Sequence, residues 1–205
     1  MDYSEPKKGT TTVGILCEDG VILASEKRAT MGNLIANKNA DKVLKIQDHI
    51  GMTIAGLVGD AQVLARIMRV QTALYETERN KPISLEAAAT LFSNVLLQQR
   101  YFPYWVQILF GGYDSKPRLY SLDASGAVLE EKYVSSGSGS PTAYGVLEDS
   151  FVEGKMIKDN LPIAVRAIRA AMERDSFSGN GVTIAIIDKK GFRKLTQKEI
   201  EAITK

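Results

Sequence analysis

The sequence predicts an α+β domain in which antiparallel sheets carry helices segregated onto their faces. Three observations predict it. β-rich runs come in pairs joined by turn residues, helical patterns come in pairs between those runs, and the strand–helix–strand alternation of a parallel sheet is missing. At 205 residues, with 44% hydrophobic and 24% charged residues, the chain suits a single domain with a continuous core.

Each element has a local reason. "TTTVGILCEDGVILASEKRAT" (10–30) is a hairpin whose two β-rich runs flank Glu18-Asp19-Gly20, an Asp-Gly turn signal. "HIGMTIAGL" (49–57) is a strand ending at Gly56. Asp60 then reads as the N-cap of a long helix, with Val63, Leu64, Ile67, Val70 and Leu74 at three- and four-residue steps. A second helix follows Ser84, with Glu86 in its first turn. "WVQILFGGYD" (105–114) is a buried strand, and "RLYSLDASGAVLEEKYV" (118–134) a hairpin around Ala124-Ser125-Gly126. "SGSGSPTAYGVLEDSF" (136–151) passes from loop to helix, with Ser140 as cap and Pro141 at the first position. Asp159 to Arg174 is an amphipathic helix showing Leu161, Val165, Ile168 and Met172 on one side. "GVTIAIIDKKGFRKL" (181–195) is a closing hairpin, and "TQKE" (196–199) a capping box opening a last short helix.

Composition excludes several classes of function. A net charge of +2, from 26 basic and 24 acidic residues spread without blocks, argues against a nucleic-acid surface. The single Cys17 rules out an internal disulfide framework and points to a reducing compartment. The single His49 argues against a catalytic zinc. No run approaches the roughly 18 apolar residues of a membrane span. The opening "MDYSEPKKG" carries no apolar segment of a secretory signal. The expectation is a cytoplasmic chain with neither membrane nor nucleic acid as partner.

The familiar catalytic devices are missing as well. A Ser-His-Asp or Cys-His site would have to use His49, which sits in "QDHIG" just ahead of a strand and reads as a loop histidine. Cys17 lies within an apolar strand and reads as a buried thiol. "SGSGSPT" (136–142) has the GxG of a phosphate loop, but Thr142 replaces the glycine a dinucleotide fingerprint wants and lysine is missing. It reads either as a loop feeding a helix or as a loop presenting Ser138 to a site. An enzyme without a usable histidine still needs a base near neutral pH. A free α-amino group, titrating at roughly 7.7–8.0, can be that base. "KKGTTTVGI" (7–15) therefore has two readings: three β-branched strand formers, or a threonine that becomes the first residue after a cut. In the second reading Gly9, without a side chain, offers Thr10 an open carbonyl to attack.

"GTTTVGI" with "EKRAT" (26–30), Lys42, "TIAGLVGDAQ" (53–62), "SGSGS" (136–140) and "RDSFSGNG" (174–181) closely resembles the proteasome β subunits of archaeal type, in order and spacing from Gly9 nearly to the end. That resemblance implies the N-terminal-nucleophile hydrolase fold, a four-layer αββα sandwich of two antiparallel sheets. It implies residues 1–9 as a propeptide removed by autocleavage at Gly9–Thr10, and residues 10–205 as the catalytic domain. Thr10 matches the nucleophile and Lys42 the lysine beside it. Glu26 matches the acid paired with that lysine, where many members carry aspartate. Asp175, Ser178 and Ser138 match the group that orients the terminal amine, and Gly56 the oxyanion donor. Thr30 and Arg28 match the substrate-binding strand. Ala29, Ala40, Ile54 and Val58 match the pocket before the cut bond, and all being apolar implies cleavage after large hydrophobic residues.

The resemblance further implies a seven-membered β ring stacked on a second one and flanked by α-subunit rings. Unfolded polypeptide would be the substrate, fed by an ATPase regulator, and no cofactor or metal is expected. A non-catalytic ring subunit and the simpler bacterial two-ring threonine peptidase are the competing readings. Thr10 with Lys42 stands against the first, and "SGSGSPTAYGVLED" against the second.

Overall fold

A computed structural model describes residues 9–203; of the expected propeptide, only Gly9 lies among the described residues. Two five-stranded antiparallel sheets dominate. One has the order β10-β1-β2-β11-β12 and the other β5-β6-β7-β8-β9. The first is built from β1 (Thr12–Cys17), β2 (Gly20–Glu26), β10 (Tyr133–Ser136), β11 (Val182–Asp188) and β12 (Gly191–Lys194). The second comprises β5 (Val43–Gln47), β6 (Ile50–Gly56), β7 (Val106–Tyr113), β8 (Pro117–Leu122) and β9 (Val128–Glu130). A two-stranded hairpin, β3 (Ala29–Met31) with β4 (Leu34–Asn37), projects beside them.

Period-two geometry explains the layers. Along β2, Ile22 and Ala24 pack with Ala164, Val165 and Ile168 of α4 (Ile157–Arg174), while Val21 and Leu23 pack with Leu109 and Leu119 of the opposite sheet. On β7, Leu109 turns toward the first sheet, whereas Ile108 and Phe110 meet Leu64, Met68 and Phe92 from α1 (Val58–Arg79) and α2 (Leu85–Leu97). Each central strand therefore buries both faces and reads as a continuous apolar run. The result is αββα: α1 and α2, sheet, sheet, then α4 with α3 (Ser140–Ser150). The short α5 (Gln197–Ile203) adds Ile200 to the core beside α4. Among the described residues, no helix is long and apolar enough to cross a membrane.

Several expectations need correction. Helix α1 starts at Val58 behind Leu57, not behind Asp60, whose carboxylate instead accepts the Trp105 N–H at 2.9 Å. Its buried face is Ala61, Leu64, Ala65, Met68 and Thr72, whereas Val70 and Leu74 are exposed. Ser140 is the first residue of α3 rather than its cap, which is Gly139. Helix α4 begins at Ile157, two residues ahead of Asp159. The expected 118–134 hairpin ends at β9, because Tyr133 and Val134 leave to pair with β1 in the other sheet. Strands β4 and β5 carried no clear signal, and β3 was expected only through the resemblance, with Arg28 just ahead of it.

Local capping follows the sequence elsewhere. Ser84 accepts the Ala87 N–H at 3.3 Å. Thr196 and Glu199 exchange bonds, N–H to Oε2 at 2.7 Å and N–H to Oγ1 at 3.3 Å. Cys17 is buried beside Asn160, and burial pushes its thiol up to about 12, leaving no thiolate for catalysis.

Candidate active site

Antiparallel pairing gathers the chemistry at one end of the sandwich. Thr12 stands opposite Ser25 and Ser136, and Val182 stands opposite Glu26. The start of β1, the ends of β2 and β10 and the start of β11 consequently share one edge. Gly56 ends β6, and Lys42 immediately precedes β5.

The three consecutive threonines, all buried, have three different partners. Thr12 Oγ1 meets Ser136 Oγ at 2.7 Å and Thr11 Oγ1 meets Ser178 Oγ at 2.7 Å. Both bonds tie the start of β1 into the fold. Thr10 is the one whose hydroxyl faces ionisable chemistry: it accepts from Lys42 Nζ at 3.0 Å and donates to the Gly9 carbonyl oxygen at 2.7 Å. Thr10 N–H donates to Ser138 Oγ at 3.2 Å.

Lys42 is held on the other side by Glu26 and by the Arg28 carbonyl. Glu26 is fully buried and its carboxylate is saturated. Oε1 takes the Lys42 ammonium and the Thr11 N–H at 3.4 Å, and Oε2 takes the N–H groups of Arg28 at 2.6 Å and Gly179 at 3.1 Å. Each carboxylate oxygen thus has two donors, as burial of a polar group requires. Burial pulls the Lys42 ammonium below the ordinary lysine value, outweighing the opposing pull of Glu26. A lysine so placed can give up its proton more readily than a solvated one, and its neutral form can accept the Thr10 hydroxyl proton.

A second carboxylate organises the nitrogen side. Asp175 Oδ2 accepts from Ser138 Oγ at 2.5 Å and from Ser178 Oγ at 2.7 Å. Asp175 to Ser138 to Thr10 N is thus a continuous chain of hydrogen bonds. All of Thr10, Lys42, Glu26, Asp175, Ser138 and Ser178, expected from widely separated motifs, are brought together.

A cavity of about 890 Å³ opens in front of Thr10 and Lys42. Ala29, Thr30, Ala40, Ile54, Gly56 and Val58 all line it. Gly56 holds φ +128°, and a Cβ there would lie 2.0 Å from the Trp105 carbonyl oxygen, so only glycine fits. Arg28 is the exception. It does not line the cavity; its guanidinium instead donates to Asn180 Oδ1 at 2.9 Å and to the Ser176 carbonyl at 2.7 Å. Arg28 therefore fastens the loop that carries Asp175 and Ser178 to the strand that carries Glu26. Sequence reasoning missed Met31, Leu44 and Leu57 as wall residues, and Asp41, whose only signal was its place beside Lys42. His49 stays outside: its Nε2 meets the Ile83 carbonyl at 2.8 Å, at the opposite end of the sheets, in another cavity of about 780 Å³.

Comparison with known proteins gives the family. The family profile described as "Proteasome subunit" matches residues 6–187. The chain belongs to the proteasome subunit family. It is 56% identical over 202 residues to the "Proteasome subunit beta" of Methanocorpusculum labreanum, covering 98% of this chain and 95% of that one. It is 50% identical over 203 residues to the protein of the same name from Methanothermobacter thermautotrophicus, with 98% and 97% covered. The Methanocaldococcus vulcanius protein of that name is 53% identical over 196 residues, with 94% and 88% covered. Among proteasome subunits, this one is therefore of the archaeal β type, and its two stacked antiparallel sheets between helices are that family's sandwich.

Proposed function

We propose that this proteasome β-type chain is a threonine endopeptidase whose nucleophile, Thr10, is unmasked by scission of its own Gly9–Thr10 bond. Residues 1–9 are then the propeptide and residues 10–205 the catalytic domain. The observation that carries this reading is the Thr10 hydroxyl, poised between the Lys42 ammonium at 3.0 Å and the Gly9 carbonyl oxygen at 2.7 Å.

The first reaction is internal. Thr10 Oγ1 gives its proton toward neutral Lys42 and attacks the Gly9 carbonyl carbon, and the acyl group passes from nitrogen to oxygen as an ester. Water hydrolyses that ester, which frees the Thr10 amine and releases the leader. The free amine, titrating at roughly 7.7–8.0, then serves as the base for substrate peptides. Ser138, backed by Asp175 and Ser178, orients it. The hydroxyl adds to the scissile carbonyl, and the oxyanion turns to the Gly56 N–H. Collapse expels the amine product, and water releases the acyl product. Thr30 on β3 holds substrate backbone across the cavity.

The apolar wall of Ala29, Ala40, Ile54 and Val58 supports cleavage after large hydrophobic residues. Family membership supports assembly with other proteasome subunits. The full reading is a seven-membered β ring, paired with a second and capped by α rings, degrading unfolded polypeptide delivered by an ATPase regulator in the cytoplasm. No cofactor enters the scheme.

Intact mass measurement on the chain assembled with its α-type partner tests the reading. The wild type is expected to lose residues 1–9 and to hydrolyse peptides ending in tyrosine or leucine. Thr10→Ala is expected to keep its full mass and to be inactive in an otherwise intact particle. An active particle of full-length mass overturns the mechanism.

A further inference from the structure

The substrate cavity has a carboxylate in its wall. Asp41 is the one acidic side chain among the residues lining it, and Lys42, the one basic residue there, is already engaged by Glu26. The apolar residues of the wall would leave that carboxylate to set the sign of the cavity. It does not stand alone. Lys194, on the edge strand β12, reaches Asp41 Oδ2 with its ammonium at 2.5 Å. The two residues lie 153 positions apart, so the pairing is a product of the fold and not of local sequence.

The surroundings make the pair a boundary. The segment Asn39–Asp41 also lines a smaller cavity of about 290 Å³, together with Lys27, Lys194 and Gln197. Asp41 thus lines both cavities, with Lys194 and Lys27 beside it in the smaller one. Both partners remain partly solvated, Asp41 at 53% and Lys194 at 36% side-chain exposure. Such a pair adds little to stability. Its consequence is electrostatic: with Lys194 in place the wall is neutral, and without it the wall is anionic.

We propose that Lys194 is a specificity-determining residue that neutralises Asp41 and so keeps the cavity from accepting basic side chains. The inference rests on the peptidase reading above. Lys194 stands away from Thr10 and its partners, so its loss leaves the catalytic groups as they are. Asp41 freed of its partner attracts an arginine or lysine side chain entering the cavity, and does so more at low ionic strength than at high.

The test uses the assembled, processed particle and two fluorogenic peptides that differ only in the last residue, arginine or tyrosine. Lys194→Ala is expected to raise the ratio of kcat/KM for the arginine peptide over the tyrosine peptide about two- to fivefold, the range of an exposed ion pair. The gain is expected to shrink as salt is raised. Asp41→Asn combined with Lys194→Ala is expected to return the ratio to the wild-type value, because the uncompensated charge is gone. An unchanged ratio in an active Lys194→Ala particle overturns the inference and leaves the peptidase reading standing. A raised ratio that persists in the double variant also overturns it, since the cause is then shape. A wild-type particle that hydrolyses neither peptide overturns the peptidase reading and this inference with it.

Discussion

Lys42→Ala probes the assignment that matters most. In the wild type the Lys42 ammonium is 3.0 Å from Thr10 Oγ1, is buried, and is shared with the Glu26 carboxylate. In the proposed mechanism its removal deprives the hydroxyl of its proton acceptor, with an expected loss of about 10²–10⁴-fold for a positioned acid–base group. It also leaves Glu26 buried without its counter-ion, which costs about 3–5 kcal/mol of stability. The assay is the time course of leader loss followed by intact mass, because before scission the Thr10 nitrogen is an amide and adds no titration of its own. Burial holds Lys42 below its ordinary 10.5, so its neutral fraction grows as pH rises through that lowered value. Wild-type processing should therefore accelerate with pH through a midpoint below 10.5, and Lys42→Ala should lose that rise. Lys42→Arg separates charge from proton transfer, because arginine keeps its proton. A Lys42→Ala chain that processes within threefold of the wild type refutes the assignment. So does a Lys42→Arg chain with the wild-type pH profile.

Two further outcomes follow from the same geometry. Gly56→Ala forces a side chain into φ +128° and against the Trp105 carbonyl, so a loss of about 1–3 kcal/mol in denaturant unfolding is expected, together with lost hydrolysis. Arg28→Gln removes the guanidinium bonds to Asn180 and Ser176 while sparing the cavity wall. Its kcat should fall with KM little changed; a raised KM at constant kcat would instead return Arg28 to the substrate-binding role.

Which parts of this were legible without coordinates depends on the range of the forces involved. Ser84 capping α2 and the Thr196–Glu199 box were legible because each is a contact within four residues. The β1–β2 hairpin was legible from Glu18-Asp19-Gly20, although the turn itself is Glu18-Asp19 and Gly20 already pairs with Cys17 as the first residue of β2. Val70 and Leu74 misled because helical period alone cannot say which face meets the sheet; the buried side of α1 is set by Ala61, Leu64, Ala65 and Met68 against β5 and β6. Tyr133 and Val134 misled because a strand can continue its hairpin or change sheets with the same apolar pattern.

The site divides along the same line. Lys42 by itself, in "NKNADKVLK", reads as a solvated lysine, and only the matching order of several motifs singled it out. The sequence by itself determined the residue types, the family and the αββα layering, since these are recorded in local pattern and motif order. Tertiary structure alone decided that the Arg28 guanidinium meets Asn180 and Ser176, and that Asp41 is met by Lys194. Charges and guanidinium groups act over a few ångströms of space, and sequence separation holds no measure of that distance.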